Sequence, residues 1–282
     1  MTIEPGIVLR DSVTKTAAED AGRVLVTGSH GGLYAANLAA RARVRAAIFN
    51  DAGIGKERAG IAGLAYLEGL GMAAATVGFE SARIGDAGDA WARGTISHVN
   101  GLAADLGCAP GQDCAEAAKL LRAARIPETE APALEEAAHL VSAEPGAPRV
   151  WALDSASLVG PEHVGQIVLL GSHGALLGGQ PEAALKADAL AAVYNDAGIG
   201  IDEAGVSRLP ALDARGIAAA TVAAESARIG DGLSTYRDGV LSRVNATAAA
   251  LGAAPGMTAE AFVARVIACN KERDESSGGG QA

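Results

Sequence analysis

Three short polar segments of this chain gather hydroxyls, an imidazole, carboxylates and a guanidinium, and each segment occurs twice. Gly28-Ser29-His30-Gly31 returns as Gly171-Ser172-His173-Gly174, and Asn50-Asp51-Ala52-Gly53-Ile54-Gly55 as Asn195-Asp196-Ala197-Gly198-Ile199-Gly200. Glu80-Ser81-Ala82-Arg83-Ile84-Gly85-Asp86 returns as Glu225-Ser226-Ala227-Arg228-Ile229-Gly230-Asp231. These residue types point to acid–base or nucleophilic work. His30 and His173, Asp51 and Asp196, and Glu80 and Glu225 are the candidate acids and bases, with Ser29 and Ser172 as candidate nucleophiles. Arg83 and Arg228 offer a planar fork that grips a carboxylate with two hydrogen bonds. Ser81, Ser226, Asn50, Asn195, Gly53 and Gly198 complete the candidate substrate-binding set, the glycines because they let backbone approach a ligand closely.

Every one of these residues also has an ordinary use. Asn, Asp and Gly are turn residues, Ser29 suits a helix cap, and Asp86 suits the N-cap of the helix that follows it. Arg83 and Asp86 could simply pair with each other. What argues for chemistry is that six consecutive residues at Asn50 stay identical in both places while neighbouring turns differ. Ser97 with Asn100, matched by Ser242 with Asn245, is read as a structural pair on one helical face. His98, His139 and His163 do not recur and are read as surface residues.

One His, Asp and Glu from three loops could hold a divalent ion. The cofactor is therefore left open, with a divalent metal as the option. No nucleotide cofactor is expected, because the chain has neither a phosphate-binding loop nor a dinucleotide fingerprint with its downstream acid, and no Cys-x-x-Cys pair suggests thiol redox work.

The elements that must position these residues read as alternating strands and helices. In the first half strands are expected at 23–27, 45–49 and 72–77, with helices at 33–43, 57–70, 86–106 and, opened by a capping box at Asp113, 114–124. In the second half strands are expected at 166–170, 192–194 and 217–222, with helices at 181–190 and near Ala211. This alternation implies a parallel sheet in each half, and the three polar segments follow successive strands. They therefore collect at the carboxyl edge, where open α/β sheets bind ligands. The expected fold is α/β, a tandem duplication of a unit of roughly 120 residues with a mostly parallel sheet, the two units pseudo-twofold related. The expected division is 6–125 for the first repeat, 126–148 for a Pro/Glu/Ala-rich linker holding one short helix near 133–141, 149–270 for the second repeat, and 271–282 for a disordered tail.

Composition narrows the classes. A net charge of -10 disfavours nucleic acid and anionic membranes as partners. No apolar run is long enough to span a bilayer, and the first residues lack a signal-peptide pattern, so a soluble cytoplasmic protein is expected. Aromatic residues are only 3% of the chain, so Ala, Val, Leu and Ile must fill the core. Cys108, Cys114 and Cys269 do not recur and read as small apolar residues. The function expected is a hydrolase that cleaves an amide-type or ester-type bond of a small, polar, anionic metabolite. An acid–base isomerase or lyase acting on a small carboxylate is the first alternative, and a non-catalytic ligand-binding module the second. A homo-oligomer is compatible with all three.

Overall fold

The computed structural model describes residues 3–278, and within it two compact units separate. The first holds the chain up to Glu135 together with Ala175–Gln180 and Ala197–Gly205; the second holds Glu136–Gly174, Pro181–Asp196 and the chain from Val206 onward. Each unit has its own sheet, one of five strands and one of six.

In the first unit β1 (Ile7–Arg10), β2 (Val24–His30), β3 (Ala46–Asn50) and β4 (Ala73–Val77) lie side by side in chain order, all parallel. The helices α1 (Leu33–Arg41) and α2 (Gly63–Gly69) make the crossovers from β2 to β3 and from β3 to β4. Because the order never reverses and parallel crossovers are right-handed, consecutive crossover helices must fall on one face of the sheet. They do: Ala35, Ala36 and Ala39 of α1 and Leu64 and Leu67 of α2 pack with Leu25, Ala47, Phe49 and Ala74. After β4 the chain passes to the opposite face with α3 (Ala87–Arg93). It then returns as β5 (Ile96–Val99), antiparallel to β4, and closes with α4 (Gly101–Asp105) and α5 (Cys114–Leu121). Ala90, Trp91, Ala117, Ala118 and Leu121 cover Val24, Val26, Ile48, Ala75 and Val77 on this face. Helices on both faces explain why the inner strands are continuous apolar runs rather than alternating ones.

In the second unit β6 (Ala138–Ser142) and β7 (Val150–Leu153) form the edge, followed by β8 (Ile167–His173), β9 (Ala191–Asn195) and, after α6 (Arg208–Asp213), β10 (Ala218–Val222). Then come α7 (Gly232–Arg237), β11 (Leu241–Val244), α8 (Ala246–Ala250) and α9 (Ala259–Gly278). β7 to β10 are mutually parallel, and β6 and β11 are antiparallel to their neighbours. Phe262, Val263 and Val266 of α9 cover Ile167, Leu169, Val193, Ala220 and Val222. Among the described residues no helix is long and apolar enough to cross a membrane.

Several expected elements differ. The single helix expected over 86–106 is a helix, a strand and a second helix, because α3 stops at Gly94 and the β-branched Thr95, Ile96 and Val99 suit an edge strand. Ser97 and Asn100 therefore do not share a helical face; Asn100 and Asn245 are N-caps of α4 and α8. The short helix expected near 133–141 is instead β6, whose 138–142 segment pairs with β7. The helix expected over 181–190 is replaced by two short 3-10 turns, Leu177–Gly179 and Pro181–Ala183, as Gly178, Gly179 and Pro181 would predict. The 57–70 helix begins as a 3-10 turn in which Glu57 and Arg58 are left-handed, and is regular only from Gly63. Asp113 is the N-cap of α5 but makes no side-chain capping bond. The tail expected to be disordered from Lys271 stays helical to Gly278, and residues 279–282 lie outside the described residues. The unit boundary also falls elsewhere than expected: Glu135 rather than 125 closes the first continuous stretch, and two segments of the second half join the first unit.

Asn100 ties these pieces together. Its Oδ1 accepts from the N–H groups of Ala74 and Ala103, both at 3.0 Å, and its Nδ2 donates to the carbonyls of Met72 at 2.9 Å and Leu64 at 3.3 Å. It is buried, so truncation would leave several backbone groups unpaired. Asn100→Ala is expected to lower unfolding free energy by about 2–4 kcal/mol, from the lost cap and the unpaired buried groups. Urea titration checks this, and a loss within 0.5 kcal/mol, roughly the scatter of neutral surface changes, would contradict it.

Candidate functional site

The loop after β3 is built against the normal backbone preference. Ala52, Gly53, Ile54 and Gly55 have φ of 51°, 72°, 62° and 67°, four left-handed residues in a row, and Ala197, Gly198, Ile199 and Gly200 follow at 51°, 77°, 65° and 72°. For the branched Ile54 and Ile199 such a conformation is strained. Side chains of the preceding Asn and Asp hold the first of these loops in place. Asn50 Oδ1 accepts from the Ala52 N–H at 2.9 Å while its Nδ2 donates to the Ala82 carbonyl at 3.1 Å. Asp51 Oδ1 accepts from the N–H groups of Phe79 at 2.9 Å and Gly53 at 3.2 Å. In the second unit Asn195 donates to the Ala227 carbonyl at 3.0 Å, and Asp196 accepts from the Ala224 N–H at 2.9 Å.

The glycines have a further reason. Within the first unit a Cβ on Gly53 would stand 2.9 Å from the Cα of Gly198, and one on Gly198 would stand 2.8 Å from the Phe79 ring. The Phe79 carbonyl also accepts from the Ile201 N–H at 3.0 Å. The verbatim recurrence of this segment thus answers to backbone geometry and close packing, whatever chemistry it also serves.

The Ser-His segments are likewise engaged. Ser29 Oγ is buried and accepts from the Val13 N–H at 2.9 Å, as Ser172 Oγ does from the Ala156 N–H at 2.9 Å. His30 Nδ1 accepts from the Gly32 N–H at 3.1 Å, which fixes the neutral ring with its proton on Nε2. Burial pushes the His30 pKa down to about 4. His173 is buried at the end of β8, paired in register with Asn195 as His30 is with Asn50.

The third segment is mostly ion pairs and turn bonds. Arg83 lies 3.1 Å from Asp89, 3.3 Å from Asp86 and 3.5 Å from Asp202, so three carboxylates face its guanidinium. Arg228 pairs with Asp231 at 2.9 Å. Asp86 and Asp231 cap α3 and α7 through the N–H groups of Asp89 and Ser234. Ser81 Oγ donates to the Gly78 carbonyl at 2.8 Å and accepts from the Thr95 N–H at 2.9 Å, and Ser226 does the same with Ala223 and Val240. Glu80 and Glu225 are exposed.

Sequence reasoning assembles His, Asp and Glu as one trio; no hydrogen bond joins His30 or Glu80 to Asp51. The groups around the Asp51 side chain come from its own loop, from the segment after β4 and from β5. Burial, with 3% of the residue exposed, pushes its carboxyl above the usual range, against the opposing pull of the Ser97 hydroxyl, the Phe79 and Gly53 N–H groups and the nearby His98. Ser97 Oγ lies 3.0 Å from Thr76 Oγ1 and 3.2 Å from His98 Nδ1, and both Ser97 and His98 are half-buried. A Cβ placed on Gly78 would sit at ordinary contact distance, 3.7 Å from Ser81 Oγ and 3.8 Å from Asp51 Oδ2. Thr76 and His98 are the members that sequence reasoning misses. The signal for Thr76 is present: Ala-Ala-Ala-Thr-Val recurs at 73–77 and 218–222, a lone hydroxyl in an otherwise apolar buried strand. Nothing in the sequence marks His98, because it faces Asp51 only once β5 is antiparallel to β4.

Among the described residues no group of three His, Cys, Asp or Glu side chains is placed to hold a metal ion. Cys108 and Cys114 are buried free thiols, Cys114 pushed up to about 12 by burial. A cavity of about 300 Å³ lies away from this site, between the α1 and α2 ends at Arg41, Arg43 and Leu70 and the 127–133 segment. No protein-family model, curated protein or solved structure matches this chain.

Two outcomes follow from this geometry. Gly53→Ala must meet both a left-handed φ and the Gly198 backbone, whereas Gly71→Ala meets a φ of 79° with open space around it. Gly71→Ala is expected to cost about 1 kcal/mol and Gly53→Ala at least about twice that, measured by chemical denaturation; equal losses would contradict the close packing. For His30 the depressed folded pKa means that its contribution to stability is complete above its ordinary 6.5 and is lost as pH falls toward about 4. NMR titration of the ring is expected to show a midpoint near 4, and a midpoint near 6.5 would refute the buried neutral ring.

Proposed function

We propose that the chain is a hydrolase that cleaves an amide-type or ester-type bond of a small polar metabolite at the carboxyl edge of the first sheet. The observation that carries this reading is Asp51: a buried carboxyl, raised toward its protonated form, beside the half-buried Ser97 hydroxyl and the small gap at Gly78. A carboxyl whose pKa burial raises above the ordinary carboxylate range is moved toward the working pH, which suits general acid–base catalysis. Glu80, exposed two residues beyond Gly78, is the rim group with freedom to meet a substrate. Arg83 is a weaker anchor than its residue type suggests, since three carboxylates share its charge, and this reading therefore takes the substrate as polar rather than specifically anionic. Ser29 and Ser172 drop out of this reading, because the buried Ser29 hydroxyl and the half-buried Ser172 hydroxyl already accept backbone N–H groups. A divalent metal is not required by this reading.

We further infer that the two halves descend from one duplicated unit. The support is that equivalent residues repeat equivalent bonds: Asp51 to Phe79 and Asp196 to Ala224, both at 2.9 Å, and Thr76 with Ser97 and Thr221 with Ser242, both at 3.0 Å.

The test is turnover of a panel of small amides and esters by purified protein. Asp51→Asn keeps an oxygen to accept the Phe79 and Gly53 N–H groups but cannot exchange a proton, so kcat is expected to fall by about 100-fold or more with the melting midpoint little changed. Turnover that survives Asp51→Asn would overturn the assignment. Binding of panel members without turnover would place the chain among ligand-binding modules instead.

A further inference from the structure

We infer that Ser97 and His98 are the nucleophile and base of this site, and that the matching Ser242 of the second unit is inert. The inference rests on the proposed hydrolase reading and says which atom attacks and in which half. Ser97 Oγ carries one proton and has His98 Nδ1 at 3.2 Å, Thr76 Oγ1 at 3.0 Å and the Thr76 carbonyl at 3.3 Å, with the Asp51 carboxyl also within reach. The ring nitrogen is the only strong base among those three atoms. Serine with an imidazole in reach, next to a buried carboxylate-bearing residue, has the composition that activates a hydroxyl for attack on a carbonyl.

The second unit supplies the internal control. Thr221 Oγ1 lies 3.0 Å from Ser242 Oγ and the Thr221 carbonyl accepts from Ser242 at 3.3 Å, the same cross-strand arrangement. The next residue is Arg243, whose guanidinium stays protonated and cannot accept the hydroxyl proton. Where the first unit has Gly78 with open contact distances to Ser81, Ser97 and Asp51, the second has Ala223, whose methyl occupies that space. The Thr–Ser pair alone is thus a structural contact common to both sheets, and reactivity needs the two differences, His98 and Gly78.

In the reaction Ser97 Oγ bonds to the carbonyl carbon and its proton passes to His98 Nδ1. His98 returns that proton to the leaving amine or alcohol as the acyl bond breaks; water then gives a proton to the Asp51 carboxylate and its oxygen attacks the acyl-serine ester, and Asp51 passes that proton to Ser97 Oγ as the acid leaves. An alkyl fluorophosphonate reports the first half of this sequence without knowledge of the substrate: the Oγ–P bond forms, P–F breaks, fluoride leaves with the electron pair, and the proton goes to His98. Full-length protein treated with this probe is expected to gain one phosphonyl group on the peptide containing Ser97 and none on that containing Ser242. Ser97→Ala should abolish labelling, and His98→Gln, which keeps a hydrogen-bonding side chain beside Ser97, should slow it by about 100-fold or more with unchanged circular dichroism. No labelling of the wild-type protein, labelling of Ser242, or a His98→Gln rate equal to wild type would each overturn the inference. Turnover that depends on Asp51 without labelling of Ser97 would remove this nucleophile and leave the hydrolase reading standing, with water as the attacking group.

Discussion

The left-handed run that follows β3 is the constraint around which the first unit's site is organised. Four consecutive positive φ values cost free energy at each non-glycine position, on the order of 1 kcal/mol apiece, and no local hydrogen-bond pattern of a regular helix or strand offsets it. The offset comes from Asn50 and Asp51, whose side chains take up N–H groups of the loop and of the segment after β4. The same carboxyl that braces the loop is thereby buried and left facing β5. The position and burial of Asp51 follow from this bracing, and burial raises its pKa against the pull of the bracing N–H groups.

That arrangement works only because the strand order is sequential. With β2, β3 and β4 adjacent and parallel, the loops at their carboxyl ends are neighbours, and Asn50 can reach the Ala82 carbonyl while Asp51 reaches the Phe79 N–H. The order of the strands never reverses, so no switch-point crevice opens along this edge. The edge there is shaped instead by Gly78, which leaves room for one methyl group, and by β5 turning back antiparallel to set Ser97 and His98 beside the end of β4. Low aromatic content fits this design, since alanine-rich strands such as Ala73–Val77 let sheets and helices approach closely on both faces.

Recurrence in the sequence is a good locator and a poor interpreter. The three repeated segments do sit where strands end, yet much of their identity is explained by work on the backbone. Ser29 and Ser172 anchor the segments near Val13 and Ala156, Asn50 and Asn195 bridge to Ala82 and Ala227, and Asp86 and Asp231 cap helices. Arg83 spends its charge on three aspartates, one of them Asp202, a residue with no counterpart in the repeated segments. Conversely His98, whose ring stands beside the Ser97 hydroxyl, is a position where the halves differ. A repeated residue is constrained by what both halves share, and that is first of all the fold.

The sequence by itself determined the class of the fold, the parallel inner strands and the edge of the sheet at which the repeated polar segments collect. It could do so because apolar runs bounded by glycine and polar residues specify buried strands locally, and because verbatim repetition survives as a pattern of letters. Only the tertiary structure decided that 86–106 contains an edge strand, that Asn100 and Asn245 are caps tying helix to sheet, and that the Asp51 side chain takes up the N–H groups of Phe79 and Gly53. Those facts depend on which strand lies next to which and in what direction, and neighbours across a sheet are set by long-range packing that no local spacing of residues encodes.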